Sequence, residues 1–312
     1  MKKTLILTIR EVIDSIFKGF SQVILQQNVI TGMFFFAAIV IAGIEALKPE
    51  LILYSLIGAV LAPALAYAMN YDKNEIKNGI WGYNAILYSI AVSVFIPVSA
   101  QSVFLLFAGN IGIVMLTPLL VKCLAGFPVL TMPFILMTWL ACSLADAPSG
   151  VSSADTSELI LSGMNYVKAS VNNYMEIFLL SSFTGGLLVM LGLALSDRTI
   201  LMVTMVVSVL GVFLAQYDEH VTLNQVVNGL YGYNVILTAI SVSSFRAGTT
   251  MVNIIAGASA IAFTLISGVI FTCILFAWSL PLLTLPFVIS TWLFLSLQKL
   301  LNNIKLNRTS IG

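Results

Sequence analysis

The sequence predicts an all-α integral membrane protein built from two homologous halves that enter the bilayer in opposite senses. Three observations carry that prediction. Of 312 residues, 59% are hydrophobic and only 9% charged, where a soluble domain carries about 25% charged residues. The mean hydropathy is +1.03, and repeated apolar runs are long enough to cross a bilayer. Finally, distinctive passages recur about one half-length apart.

The apolar stretches fall near 30–47, 51–69, 80–96, 101–121 and 128–145, and again near 184–197, 199–216, 229–245, 250–276 and 281–298. Between the two series lies a long polar stretch, 146–173, rich in Ser, Asp and Asn, which reads as a linker. The chain thus divides into a first repeat, 1–145, the linker, and a second repeat, 174–312. With ten crossings and a cytoplasmic N-terminus, the inside ends collect Lys2, Lys3, Arg10, Lys18, Lys73, Lys77, Lys122, Arg198, Arg246, Lys299, Lys305 and Arg308. Only Lys48 and Lys168 fall outside, an asymmetry that the positive-inside rule demands. Five crossings per half is an odd number, so the second half must enter upside down relative to the first.

The repeat is visible in two passages. GIWGYNAIL at 79–87 answers GLYGYNVIL at 229–237, and FPVLTMPFILMTWL at 127–140 answers LPLLTLPFVISTWL at 280–293. Apolar helices share Leu and Val by chance, not Pro-x-Leu-Thr-x-Pro-Phe followed by Thr-Trp-Leu in register. A weaker match sets SQVILQQNVITG (21–32) against MEIFLLSSFTGG (175–186), with Gln22 opposite Glu176, Leu25 opposite Leu179 and Gly32 opposite Gly186. These two stretches are too short and polar to span, and read as re-entrant half-helices, which a bilayer tolerates only where protein or a pore shields the backbone.

Several function classes are disfavoured. A net charge of +1 with no basic run beyond the N-terminus offers nothing to nucleic acid. Cys123, Cys142 and Cys273 lie in apolar runs without a CxxC, and read as packing residues. The single histidine, His220, sits in a polar loop with no HExxH and no cluster around it, so no metal, cofactor or histidine catalyst is expected. Paired carboxylates and a Ser/His constellation are lacking, so no enzyme is expected. The N-terminal MKKTLILTIREVIDS reads as a retained cytoplasmic or interfacial segment, not a cleaved signal peptide.

The paired GYN motifs, the paired L-T-x-P-F motifs, the Gln-Val start and the duplication of about 150 residues resemble the urea transporter family over essentially the whole chain. The resemblance implies a homotrimer in the inner (plasma) membrane. Each protomer would have ten membrane helices, two half-helices, cytoplasmic termini and a continuous pore on the pseudo-two-fold axis. Urea would pass through a narrow slot of aromatic and apolar side chains beside a ladder of acceptors. Carried over by motif, the ladder hydroxyls are Thr131 and Thr284, and the half-helix polar residues are Gln22 and Glu176. Tyr83 and Leu87 come from one GYN helix, Tyr233 and Leu237 from the other. Where the family pattern has Phe three residues after each half-helix polar residue, this chain has Leu25 and Leu179, with Phe178 adjacent; GYN is followed by Ala85 and Val235 where the family usually has Gly.

The chemistry suits that expectation. Urea is flat and uncharged, with four N–H donors and one carbonyl acceptor. A conduit for it needs weak successive acceptors and walls that refuse hydrated ions. Threonines next to helix-interrupting prolines provide such acceptors, although a membrane threonine commonly bonds back to its own helix. Glu176 is an ionisable group at membrane depth and so a functional candidate; alternatively it anchors its half-helix at the interface. Tyr83 and Tyr233 either line the slot or belong to the aromatic belt. Asn84 and Asn234 read as ties between helices, and Trp139 and Trp292 as interfacial or packing residues. An alternating-access or proton-coupled carrier of another small neutral amide or amine, with Glu176 as its proton site, is the competing expectation.

Overall fold

A computed structural model describes residues 8–145, 162–218, 221–245 and 251–309. Lys2, Lys3, His220, Arg246 and residues 146–161 of the expected linker lie outside them. The described chain is helical throughout, with turns between helices and no strand among the described residues.

The first series comprises α1 (Ile9–Gln22), α2 (Val29–Glu45), α3 (Pro49–Ala68), α4 (Lys73–Lys77), α5 (Tyr83–Phe95), α6 (Ala100–Cys123) and α7 (Met132–Leu144). The second comprises α8 (Gly163–Met175), α9 (Phe183–Ser196), α10 (Arg198–Ala215), α11 (Leu223–Val227), α12 (Tyr233–Phe245), α13 (Met251–Phe276) and α14 (Leu285–Thr309). A single tight turn, Glu176–Phe178, follows α8. All ten expected apolar stretches are helical, as α2, α3, α5, α6, α7, α9, α10, α12, α13 and α14. Only α3, α6, α10 and residues 253–276 of α13 are long and apolar enough to cross a bilayer alone. The helices α5, α7 and α12 have 13 residues each, about 20 Å at 1.5 Å per residue against a hydrocarbon core of roughly 30 Å. Each starts just after a turn that carries one of the repeated motifs.

Two sequence expectations change. Stretches 21–32 and 175–186 are not half-helices themselves. Each contains the end of a short helix, a sharp break and the start of the next helix, with α8 and α9 meeting at a bend of 77°. The break comes where Leu25 and Leu179 take left-handed backbone angles, φ 57° and 61°. Asn28 and Ser182 then cap the following helices by accepting from Ile30 and Gly185 amides. Residues 163–173, assigned to the linker for their polarity, form most of α8. Ser162 caps its start, and the polar side chains of Asn172 and Asn173 are buried, donating to the Val227 carbonyl and the Ser208 hydroxyl. At Asn172 and Asn173 polarity serves internal hydrogen bonding, not solvation.

Helix α2 makes its most extensive contact with α9. Thr31 donates to the Gly192 carbonyl at 2.8 Å, Ser196 donates to Gln26 Oε1 at 2.7 Å, and Phe35 meets Phe178 edge-on with centroids 5.7 Å apart. One close approach occurs twice. A Cβ on Gly32 would collide with the Phe17 carbonyl, and one on Gly186 with the Val171 carbonyl, so glycine lets each short helix lie against its successor. Outward faces are apolar: Phe104, Met202 and Ile255 are 69%, 66% and 60% exposed. Such a surface fits lipid rather than water, and the chain is a multi-pass membrane protein.

The polar start of α1 is tied to α4. Glu11 accepts from Lys77 at 2.6 Å and from the Thr8 amide, while Ser15 donates to the Ile76 carbonyl. Those bonds, the lysine first, hold the Glu11 carboxyl down to about 2. A depressed folded value means the contact contributes fully above the carboxyl's ordinary 4.5 and weakens as pH falls towards about 2. A spin-label pair on α1 and α4 is expected to keep its distance from pH 7 to 5 and separate below, while Glu11→Gln removes that pH dependence. Gly32→Ala or Gly186→Ala is expected to lower stability by about 1–3 kcal/mol through overpacking, read by thermal unfolding in detergent. Gly268→Ala, where a Cβ meets nothing within 4 Å, is expected to be silent.

Candidate functional site

The repeated motifs turn out to be two parts of one device, present twice. Before α7, Leu130 has φ 52°; before α14, Leu283 has φ 50°. A left-handed leucine costs about 1–3 kcal/mol unless its surroundings hold it. Here the Leu130 carbonyl accepts from Tyr83 Oη at 2.7 Å and Asn84 Nδ2 at 3.1 Å. The Leu283 carbonyl likewise accepts from Tyr233 Oη at 2.5 Å and Asn234 Nδ2 at 3.1 Å. Each asparagine then turns its oxygen to a free amide at the start of the facing helix: Phe134 N donates to Asn84 and Phe287 N to Asn234, both at 3.3 Å. GYN and L-T-x-P-F therefore recur together because one caps the other across two helices.

The two devices meet. Thr131 and Thr284, only 2% and 1% exposed, place their hydroxyl oxygens 2.6 Å apart. Expected as separate rungs of an acceptor ladder, they form a hydrogen-bonded pair instead. Trp139 Nε1 donates to the Pro281 carbonyl and Trp292 Nε1 to the Pro128 carbonyl, each at 2.8 Å. These tryptophans, read from sequence as interfacial or packing residues, are reciprocal ties between the two motif loops. The repeated Thr-Trp-Leu was the available signal.

Beside this junction lies a cavity of about 230 Å³ whose lining includes Glu176, Leu179, Tyr233, Asn234, Leu282 and Leu283, with α13 forming another wall. Glu176 is 6% exposed, and its carboxylate has no hydrogen-bond partner among the described residues. Its counterpart Gln22 shows why. Gln22 Nε2 donates to the Asn78 carbonyl at 3.0 Å, and a carboxyl group has no N–H to make the same bond. The Glu176 oxygens are left to the cavity. Tyr233 gives its hydroxyl proton to Leu283, so towards other groups its oxygen acts only as an acceptor. Among the described residues, the charged ones in the lining are Glu176 and Asp218.

Of the ten expected site residues, Glu176, Leu179 and Tyr233 share the cavity. Tyr83, Thr131 and Thr284 join Tyr233 at the junction. Gln22 and Leu25 sit at the break before α2. Leu87 and Leu237, 1% and 2% exposed, are packed in the core. Sequence reasoning missed Leu282, Leu283 and the α13 wall. A left-handed leucine has no sequence signature, and the α13 residues lie in an apolar run outside both motifs.

A sequence model of the urea transporter family matches residues 13–299. The chain is similar to urea transporter 1 of Rattus norvegicus, with 27% identity over 303 residues that cover 91% of this chain and 76% of that protein. It is also similar to urea transporter 1 of Mus musculus, 26% identical over 304 residues (91% and 76%), and of Ovis aries, 25% identical over 302 residues (91% and 77%). Since the matched region takes in both GYN motifs, both L-T-x-P-F motifs and the breaks at Leu25 and Leu179, the protein belongs to the urea transporter family.

Proposed function

We propose that this chain conducts urea passively across the membrane. The observation that carries this reading is the family match over residues 13–299, which includes every residue of the junction and of the described cavity wall. The geometry supports it chemically. A small solute with four N–H donors needs acceptors, and the Glu176 carboxylate and the Tyr233 oxygen supply them beside the apolar walls of Leu179, Leu282 and Leu283. Among the described residues no basic side chain lines the cavity, and an inorganic anion would lose its hydration there without repayment.

In this reading the halves are inverted repeats of five membrane helices and one half-helix each, the second beginning at α8. Three pairings support it: left-handed Leu25 with Leu179, Leu130 with Leu283, and Gly79 with Gly229. The pseudo-two-fold axis lies in the membrane plane and passes through the Thr131–Thr284 contact, where the slot crosses it. Gln22, Leu25, Tyr83 and Leu87 serve one side, with Glu176, Leu179, Tyr233 and Leu237 on the other. The Thr131–Thr284 pair is its midpoint, offering lone pairs to urea as the hydroxyls turn. The distribution of Lys and Arg supports cytoplasmic termini, with the inner (plasma) membrane as the proposed location. A homotrimer follows from the family resemblance.

Stopped-flow flux into proteoliposomes tests the reading. Urea is expected to equilibrate faster than in empty vesicles and with no dependence on an imposed proton gradient; urea moving no faster than in empty vesicles would overturn it. Thr131→Val with Thr284→Val is expected to cut urea flux about tenfold, the scale of one or two lost hydrogen bonds, at normal protein yield. Glu176→Gln keeps an acceptor oxygen and is expected to hold flux within about threefold, whereas Glu176→Leu falls further. Flux that follows the proton gradient and vanishes in Glu176→Gln would instead point to a coupled carrier.

A further inference from the structure

We propose that Trp139 and Trp292 are positioning residues that set the width of the solute path, each from the opposite half; the proposal rests on the urea-conduction reading. Each loop before α7 and α14 is gripped at two points by the other half. The 128–131 loop is held at Pro128 by Trp292 and at Thr131 by Thr284. The 281–284 loop is held at Pro281 by Trp139 and at Thr284 by Thr131. Between the two grips lie two residues, and one of them is the left-handed leucine.

The consequence is mechanical. Pro281, Leu282 and Leu283 form a wall of the cavity that faces Glu176 and Tyr233. Proline restricts φ, so a displacement of the Pro281 carbonyl passes along the loop instead of being absorbed at that residue. The Trp139 N–H therefore governs how far that wall stands from Glu176. On the opposite side Trp292 holds the Pro128 carbonyl of the segment whose Leu130 carbonyl Tyr83 grips. Neither tryptophan lines the cavity, and both act through the carbonyls they hold. Both indoles are half-buried, and their N–H groups point inward to a carbonyl of the other half, not outward as in an interfacial belt.

The test compares urea with the bulkier N,N′-dimethylurea in proteoliposomes of the full chain. Trp139→Phe and Trp292→Phe keep an aromatic ring and remove the donor. Each is expected to raise the dimethylurea-to-urea permeability ratio by about threefold or more, in line with the loss of one hydrogen bond. The double variant is expected to exceed either single one. If either phenylalanine variant fails to fold, benzothienylalanine at the same position keeps the shape of indole with sulfur in place of the N–H, and the same rise is expected. An unchanged ratio, or an equal fall for both solutes, would make the tryptophans plain structural braces and overturn the proposal. A wild-type protein that carries neither solute above empty vesicles would end the conduction reading and this one with it. Wild-type urea flux with an unchanged ratio in the variants would end this one alone.

Discussion

Inside a bilayer, a helix that begins partway through has amide groups that no water reaches. The helices α7 and α14 begin in the protein interior, just after the buried Thr131 and Thr284, and the protein meets the constraint with side chains from neighbouring helices. Asn84 reaches from α5 to the Phe134 amide, and Asn234 from α12 to the Phe287 amide. The same asparagines, helped by Tyr83 and Tyr233, fasten the carbonyls of Leu130 and Leu283. Those doubly held carbonyls keep two leucines in a left-handed conformation and bring Thr131 to Thr284. Every other feature of the centre is arranged around that contact, from the crossed tryptophan bonds to the cavity at Leu283.

Near-symmetry makes the exceptions informative. Gln22 and Glu176 differ by an amide against a carboxylate, and the difference decides which of them is free. The amide is bound to the Asn78 carbonyl, and the carboxylate is turned to the cavity. In the proposed path this leaves the polar group open to the solute on one side and engaged by a carbonyl on the other. Conduction still requires that each site release its solute, and a partly open cavity with mostly apolar walls keeps the hold of any one acceptor modest.

Much of the fold was legible beforehand. Ten apolar stretches are ten helices, because runs of that hydropathy have few alternatives to helix in lipid. The pairing of GYN with GYN and L-T-x-P-F with L-T-x-P-F was legible too, since Pro, Asn, Thr and Trp in register are improbable in unrelated apolar segments. The breaks at Leu25 and Leu179 were located within a few residues but misread as helices. Residues 163–173 were misread as linker, because composition does not distinguish a polar side chain in solvent from one bonded to a neighbouring helix.

The sequence by itself determined the solvent this chain needs, where its apolar helices lie, that two motifs recur in order, and which family it belongs to. Those properties follow from composition and local pattern. Only the tertiary structure decided that the two motifs are hydrogen-bonded to each other, that the two threonines touch, that each tryptophan reaches the other motif loop, and that Glu176 lines a cavity while Gln22 is bonded to a carbonyl. Each of these depends on which carbonyl lies within about 3 Å of which donor. That distance is set by the packing of helices far apart in the chain, which no window of residues contains.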